Sequence, residues 1–268
     1  MKSGVQRKKR ISRSARNVTS VITCGIALSA VALIAAVSLE AQAPEAVPLA
    51  HGNVPGEPHH HLKIENEYVR VYYVEVPPHE DTQLHQHDHD YIYVSLGPSD
   101  VVNAVRDKPE VHLVLKDGET HFTRGRFAHI ARNLADTPFC NVTVELLKTQ
   151  AEPRNLCAEV VQGSAVGQCQ EIVDKHLPYE TSWKQFETSD MSLRLVRLSP
   201  RSEMFAMVTE VPSLLVALDR AQIQIEKYGK PAQSLASGDL IWLEERSVSI
   251  VRNLSEKPSR YLSLSFKD

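Results

Sequence analysis

A stretch of 21 residues in this chain recurs 120 positions downstream. Gly118 to Pro138 (GETHFTRGRFAHIARNLADTP) aligns without a gap with Gly238 to Pro258 (GDLIWLEERSVSIVRNLSEKP), and seven positions are identical. Unrelated segments of this length share about one or two, so the chain contains a duplicated unit, and a fold must be found that it can make twice. Upstream, Glu67–Val74 resembles Met191–Leu198 and Tyr91–Leu96 resembles Ser213–Leu218, which sets the unit at about 85–100 residues with a join between Thr149 and Lys184.

Each unit is a series of short runs rich in Val, Ile, Leu, Tyr and Thr, broken by Pro, Gly and Asp. In the first they are Val69–Val76, Tyr91–Leu96, Val111–Leu115, Phe127–Arg132 and Asn141–Leu147. In the second they are Leu193–Leu198, Leu214–Leu218, Ile223–Glu226, Val248–Val251 and Tyr261–Phe266. Short strands at regular spacing predict an all-β chain of two tandem barrels. Helical periodicity is scarce, with a turn or two expected in Cys157–His176 and Ser182–Thr188.

Lys and Arg are concentrated at the start, where residues 1–43 hold seven of them and one acid, leaving 23 bases against 32 acids in the remainder. The basic cluster Arg7–Arg16, the uncharged apolar run Val21–Leu39 and the small-residue end Ala41-Gln42-Ala43 read as a signal peptide or signal anchor. The predicted organisation is residues 1–43 as export segment, 44–150 as an N-terminal barrel, 151–184 as linker and 185–268 as a C-terminal barrel. Export to the periplasm or beyond is expected, with membrane contact only through an uncleaved leader. The acidic remainder gives no reason to expect a nucleic-acid partner. In an oxidising compartment Cys157 and Cys169 can close a local disulfide loop, leaving Cys140 as a small buried residue in a strand.

The histidines carry the chemistry. Gln83-Leu-His85-Gln-His87-Asp-His89-Asp-Tyr91-Ile-Tyr93 places three imidazoles and two phenols at period two, hence on one face of a strand. Imidazoles converging in this way bind a divalent transition metal, and they do not choose between Fe, Mn, Ni, Cu and Zn. His129, in the run before Asn133, is the candidate third ligand. The run His59-His60-His61, at the polar entry to the first barrel, reads as solvent-exposed. His121 is a candidate for the pocket wall. Arg126 and Arg132 recur as Arg246 and Arg252, and Asn133 as Asn253, which points to scaffold roles.

His85-x-His87 with Gly97 downstream, followed by Gly125-Arg-Phe-Ala-His129-Ile-Ala-Arg-Asn133, resembles the two sequence motifs of the cupins. The first of these reads His-x-His, three or four residues, Glu, six residues, Gly. The second reads Pro-x-Gly-x-x-His-x-x-x-Asn. The phrase Glu65-Asn-Glu-Tyr-Val-Arg70-Val, followed by Pro77-Pro78, is similar to the start of many small bacterial cupins. The resemblance implies a double-stranded β-helix of jelly-roll type, covering residues 60–150 well and 187–268 as a degenerate copy. The motif glutamate has no clear counterpart: Tyr91 has the inward parity, and Asp90 has the spacing but the opposite face. The implied site is His85, His87 and His129, with His89, Tyr91 or water completing the shell. In the second copy Met207, Thr209 and Ser249 stand near the ligand positions, so no metal is expected there by this route.

No nucleophile elbow, phosphate loop or carboxylate-pair motif is present. The expected function is a metal-dependent enzyme acting on a small molecule, a dioxygenase-type oxidoreductase ahead of an isomerase or hydrolase, the alternative being a non-catalytic module holding a metal or small ligand. Two fused barrels can bury the face that single cupins often bury by dimerising, so a monomer or dimer is expected.

Overall fold

The computed structural model describes residues 52–157, 160, 173–177, 179–203, 207–219, 223–227 and 231–267. The expected leader, with Val21–Leu39 and the Ala41-Gln42-Ala43 end, lies outside the described residues, as does Cys169.

The strands of the first unit form two five-stranded sheets. One runs Gly52–Asn53, His85–His87, Phe127–Asn133, Ser99–Val105, Val111–Leu115. The other runs His60–Glu65, Val69–Val76, Phe139–Leu146, Asp90–Ser95, Thr120–Thr123. The second unit repeats the pattern. Its larger sheet carries Glu180–Glu187, Met191–Leu198, Ser259–Phe266, Ser213–Ala217 and Leu240–Leu243 in that order, and its smaller sheet is centred on Val248–Asn253. The helical turn expected at Ser182–Thr188 is not formed, because Glu180–Glu187 is a strand hydrogen-bonded to Met191–Leu198 and its Phe186 is buried. This strand crosses residue 184 and stands where His60–Glu65 stands in the first unit.

The register corrects the upstream alignment by two residues. Val69 pairs with Leu146 as Met191 pairs with Phe266, so Met191 corresponds to Val69 and not to Glu67. A slip of two preserves which side chains face inward, so the hydrophobic pattern alone could not detect it.

Alternation within the strands explains why the first unit's inner sheet reads as nearly continuous apolar sequence. In Asp90–Ser95, Tyr91 and Tyr93 face the barrel interior, while Ile92 and Val94 face outward. Those outward residues join Val69, Val71, Val142 and Val144 in one buried cluster with Met191, Leu193, Leu214, Val216, Leu262 and Leu264 of the second unit. A sheet buried on both faces has little use for polar residues. Phe122 meets Phe186 across this cluster with ring centroids 4.8 Å apart, and Tyr68 meets Trp242 at 5.7 Å.

The contact between units is reciprocal. Gly118, at φ +76°, lies beneath Leu218 and Arg260, and its counterpart Gly238, at φ +87°, lies beneath Leu96 and Tyr73. Leu96 and Leu218 are themselves equivalent in the repeat, so each copy presents the same turn to the same receptor, as the halves of a two-fold dimer do. Arg260 adds an ion pair across the junction to Asp117 at 2.7 Å. A Cβ on Gly238 would come within 2.8 Å of Leu96 Cδ1 in a backbone region that side chains rarely adopt. Gly238→Ala is expected to cost about 1–3 kcal/mol in denaturant unfolding. Unchanged stability would show that the junction is loose.

Asn133 and Asn253 act alike. Asn133 Nδ2 donates to the carbonyls of Val76, Pro77 and Thr137, and Asn253 Nδ2 donates to those of Ser199 and Lys257. Arg132 pairs with Asp81 and Glu110, and Arg252 with Glu203 and Glu226, so these repeated residues are scaffold. Cys157 is disulfide-bonded, and Cys140 is half-buried instead of fully buried.

Candidate metal centre

Strand pairing brings the histidines together. His85 and His129 lie directly opposite each other on antiparallel neighbours, with His87 opposite Phe127. Period two then puts His85 and His87 on the same inward face. A fourth imidazole comes from the facing sheet. His60, opposite Val74, turns inward until its side chain is only 5% exposed. Ring centroids are 4.7 Å apart for His60–His85, 5.1 Å for His85–His87 and 4.5 Å for His85–His129. The ligand-capable nitrogens of His60, His85 and His87 all lie within 4.8 Å of one another.

Each of the four rings is oriented by an acceptor at Nδ1. His60 donates to Glu57 Oε2 at 2.5 Å, His85 to the Gln83 carbonyl at 2.8 Å and His129 to Asn103 Oδ1 at 2.7 Å. His87 Nδ1 faces Glu145 Oε1 at 3.2 Å. Because these partners accept, the proton sits on Nδ1 and Nε2 keeps its lone pair, the tautomer that a metal-binding imidazole needs. Nε2 of His85 and of His129 are fully buried with no hydrogen-bond partner. A buried polar atom without a partner costs about 1–3 kcal/mol, and two such lone pairs side by side fit a cation and little else.

Burial reinforces this. It pulls the His85 pKa down to about 4, with His60 adding to the effect, and holds His87 and His129 well below the ordinary imidazole value, with neighbouring imidazoles again contributing. The rings of His85, His87 and His129 are therefore neutral at pH 7 and need lose no proton to bind. Burial raises the Glu57 pKa, but hydrogen bonds from His60, His59 and the Gln83 backbone outweigh it and bring it to about 2, so a carboxylate anion backs His60. Burial lifts Glu145 to about 6. Such second partners typically contribute 10–100-fold in metal affinity, so Asn103→Ala is expected to weaken metal uptake within that range in a competition titration. Unaltered affinity would remove Asn103 from this role.

Of the other expected residues, Tyr91 lines the cavity, and His89 and His121 do not. Tyr91 is buried against His87, centroids 4.2 Å apart and nearly parallel, with its phenol pKa raised by burial. His89 lies outside the imidazole cavity, in a surface depression with Asp88, Asp90 and Arg124. Asp90 accepts from the Gly125 and Gln150 backbone and from Arg124, so it ties loops together and does not face the metal site. His121 stacks on Tyr93 at 4.9 Å and pairs with Glu119, behind the wall and not on it. The sequence reading missed His60, Glu57 and Glu145. His60 was expected in solvent, yet only His61 of that run is exposed. The available signal was strand parity: in a His-His-His run the middle residue faces opposite to its neighbours.

The imidazoles line a cavity of about 60 Å³ between the two sheets, together with Val74, Val101, Leu113, Leu115 and Phe139. In the second unit Met207 pairs with Ser249 as His85 pairs with His129, and the Arg246 N–H donates to Thr209 as that of Arg126 donates to His87. Buried hydroxyls of Thr209 and Ser249 replace imidazoles there, and among the described residues no second metal-binding group occurs.

No family model and no curated protein matches the chain. Solved structures do. A salicylate 1,2-dioxygenase from Pseudaminobacter salicylatoxidans matches with TM-score 0.54 at 13% identity, over 82% of this chain and 79% of that one. AerE from Microcystis aeruginosa matches with TM-score 0.53 at 13% identity, over 79% and 99%. A cupin 2 conserved barrel domain protein from Leptotrichia buccalis matches with TM-score 0.51 at 10% identity, over 78% and 88%. Paired jelly-roll sheets, motif histidines in register and these neighbours agree: the chain has the fold of the cupin superfamily.

Proposed function

We propose that this chain is an exported, metal-dependent cupin that binds and transforms a small molecule, with oxygenation as its reaction class. The observation that carries the reading is the pair of orphaned, buried Nε2 atoms of His85 and His129 at a cavity that His60 and His87 also line. A divalent transition metal would be held by His85, His87 and His129 with His60 adjoining, and as iron it would supply a centre for dioxygen and substrate together. The chain's own contribution is positional. Glu57, Gln83, Asn103 and Glu145 fix the four tautomers, Tyr91 braces the His87 ring, and apolar side chains line much of the remaining cavity. A resemblance in fold alone does not choose a reaction, and the dioxygenase neighbours enter only as support for the reaction class. Export rests on the basic leader with its apolar run and on the disulfide at Cys157.

The test is metal content by mass spectrometry on protein from the exported fraction, prepared without a His tag, followed by oxygen uptake of the iron form with candidate substrates. About one equivalent of metal is expected. Traces only, even after reconstitution, would end the metalloenzyme reading.

His60 favours a second reading. If four imidazoles saturate the metal, the site holds it without turnover, as a binding module would. Cobalt-substituted protein showing four nitrogen ligands and no exchangeable water would select that reading.

A further inference from the structure

The wall of the imidazole cavity is chemically one-sided. Among the described residues that line it, none is a Lys, Arg, Asp or Glu. The polar groups other than imidazole are neutral amides, hydroxyls and phenols, and part of that capacity is used internally: Thr143 Oγ1 donates to Asn141 Oδ1 at 2.8 Å, and Asn103 is occupied by His129. The remaining wall is apolar, and Val74, Val101, Leu115 and Phe139 belong to one contiguous buried cluster against which Tyr93 and Leu113 pack. Along the described wall, the only positive charge available to a ligand would therefore be the metal itself. A cation surrounded by neutral imidazoles attracts one anionic or strongly polar oxygen end, and nothing compensates a second charge placed against the wall.

Resting on the metal-centre reading above, we infer that the ligand is one-ended: a small molecule with a single anionic or chelating oxygen group at the imidazoles and an uncharged, apolar body against Val101, Leu113, Leu115 and Phe139. The cavity, about 60 Å³, is small, so the body is short. Two-ended anions such as dicarboxylates are excluded by chemistry, not by length.

The probes are two carboxylates of the same shape and heavy-atom count, 4-methylpentanoate and succinate, in which an isopropyl end replaces the second carboxylate. Binding to the full-length protein loaded with redox-inert zinc is read by titration calorimetry, with zinc content measured on the same sample. The inference expects 4-methylpentanoate to bind at least tenfold tighter than succinate. A smaller ratio, a reversed order, or no binding of either probe to zinc-loaded protein overturns it while leaving the metal centre standing. Failure to take up zinc overturns both. In Leu113→Lys the added ammonium supplies the missing charge, and the ratio is expected to narrow at least threefold. If that variant does not fold, Val102→Lys, at a half-buried wall position, serves the same purpose. A ratio unchanged in the folded variant would place the selectivity elsewhere than this wall and overturn the inference.

Discussion

Replacing His85 with alanine is expected to abolish stoichiometric metal binding, from about one equivalent to less than a tenth. His85 lies closest to the centre of the cluster, with ring centroids 4.7 Å from His60, 5.1 Å from His87 and 4.5 Å from His129, so its loss removes the imidazole nearest to all the others. The effect on stability should have two parts. In saturating metal the parent gains about 4 kcal/mol when free metal is a thousandfold above its dissociation constant, and the variant forfeits this. For a chain of this size that is a fall of roughly 10 °C in Tm. In chelator the same substitution should cost far less than an ordinary core deletion, because it also removes a buried Nε2 that has no partner. Paired thermal melts with and without metal check both parts. An equal loss in the two conditions would mean that His85 packs the core and does not hold a metal.

Gly125→Ala is expected to be the most damaging single-methyl change near the site. A Cβ there would sit 2.2 Å from the His89 carbonyl oxygen and 2.4 Å from its carbon, and backbone atoms cannot rotate away as a side chain can. The clash falls on the segment that also holds Arg126 N–H to the His87 carbonyl at 2.5 Å and Gly125 N–H to Asp90 at 3.2 Å. Relief requires moving the His85–His89 segment, which carries two of the four imidazoles. We expect a loss of about 3 kcal/mol or more, together with at least tenfold weaker metal uptake. Wild-type denaturation and metal affinity in this variant would show that the segment yields without cost. The second copy has Glu245 at this position and no imidazole there to place.

The neighbourhood of His85, His87 and His129 was legible in the sequence because every step to it is local or periodic. Period two fixes a common face for His85 and His87, and the second motif supplies His129 on another strand. The repeat likewise announced two β units, and with them the scaffold roles of Asn133 and Arg132. His60 was hidden for the opposite reason. It comes from the facing sheet, and its burial depends on Glu57, whose carboxylate reaches both His59 and His60. His89 shows the converse error. Parity extended one step too far, because the strand ends at His87 and the next begins at Asp90, so the alternation does not continue between them.

By itself the sequence determined the all-β class, the duplication and the shared face of His85 and His87, since these follow from residue types and from spacings that sheet geometry converts into faces. Only the tertiary structure decided that a fourth imidazole enters from the other sheet, that Glu145 and Asn103 set the tautomers, that the cavity wall is free of charge, and that the copies meet through equivalent turns. Those properties belong to pairs of residues far apart in the chain. They exist only once two sheets have closed on each other, because hydrogen bonding and burial depend on distance in space and not on order in the sequence.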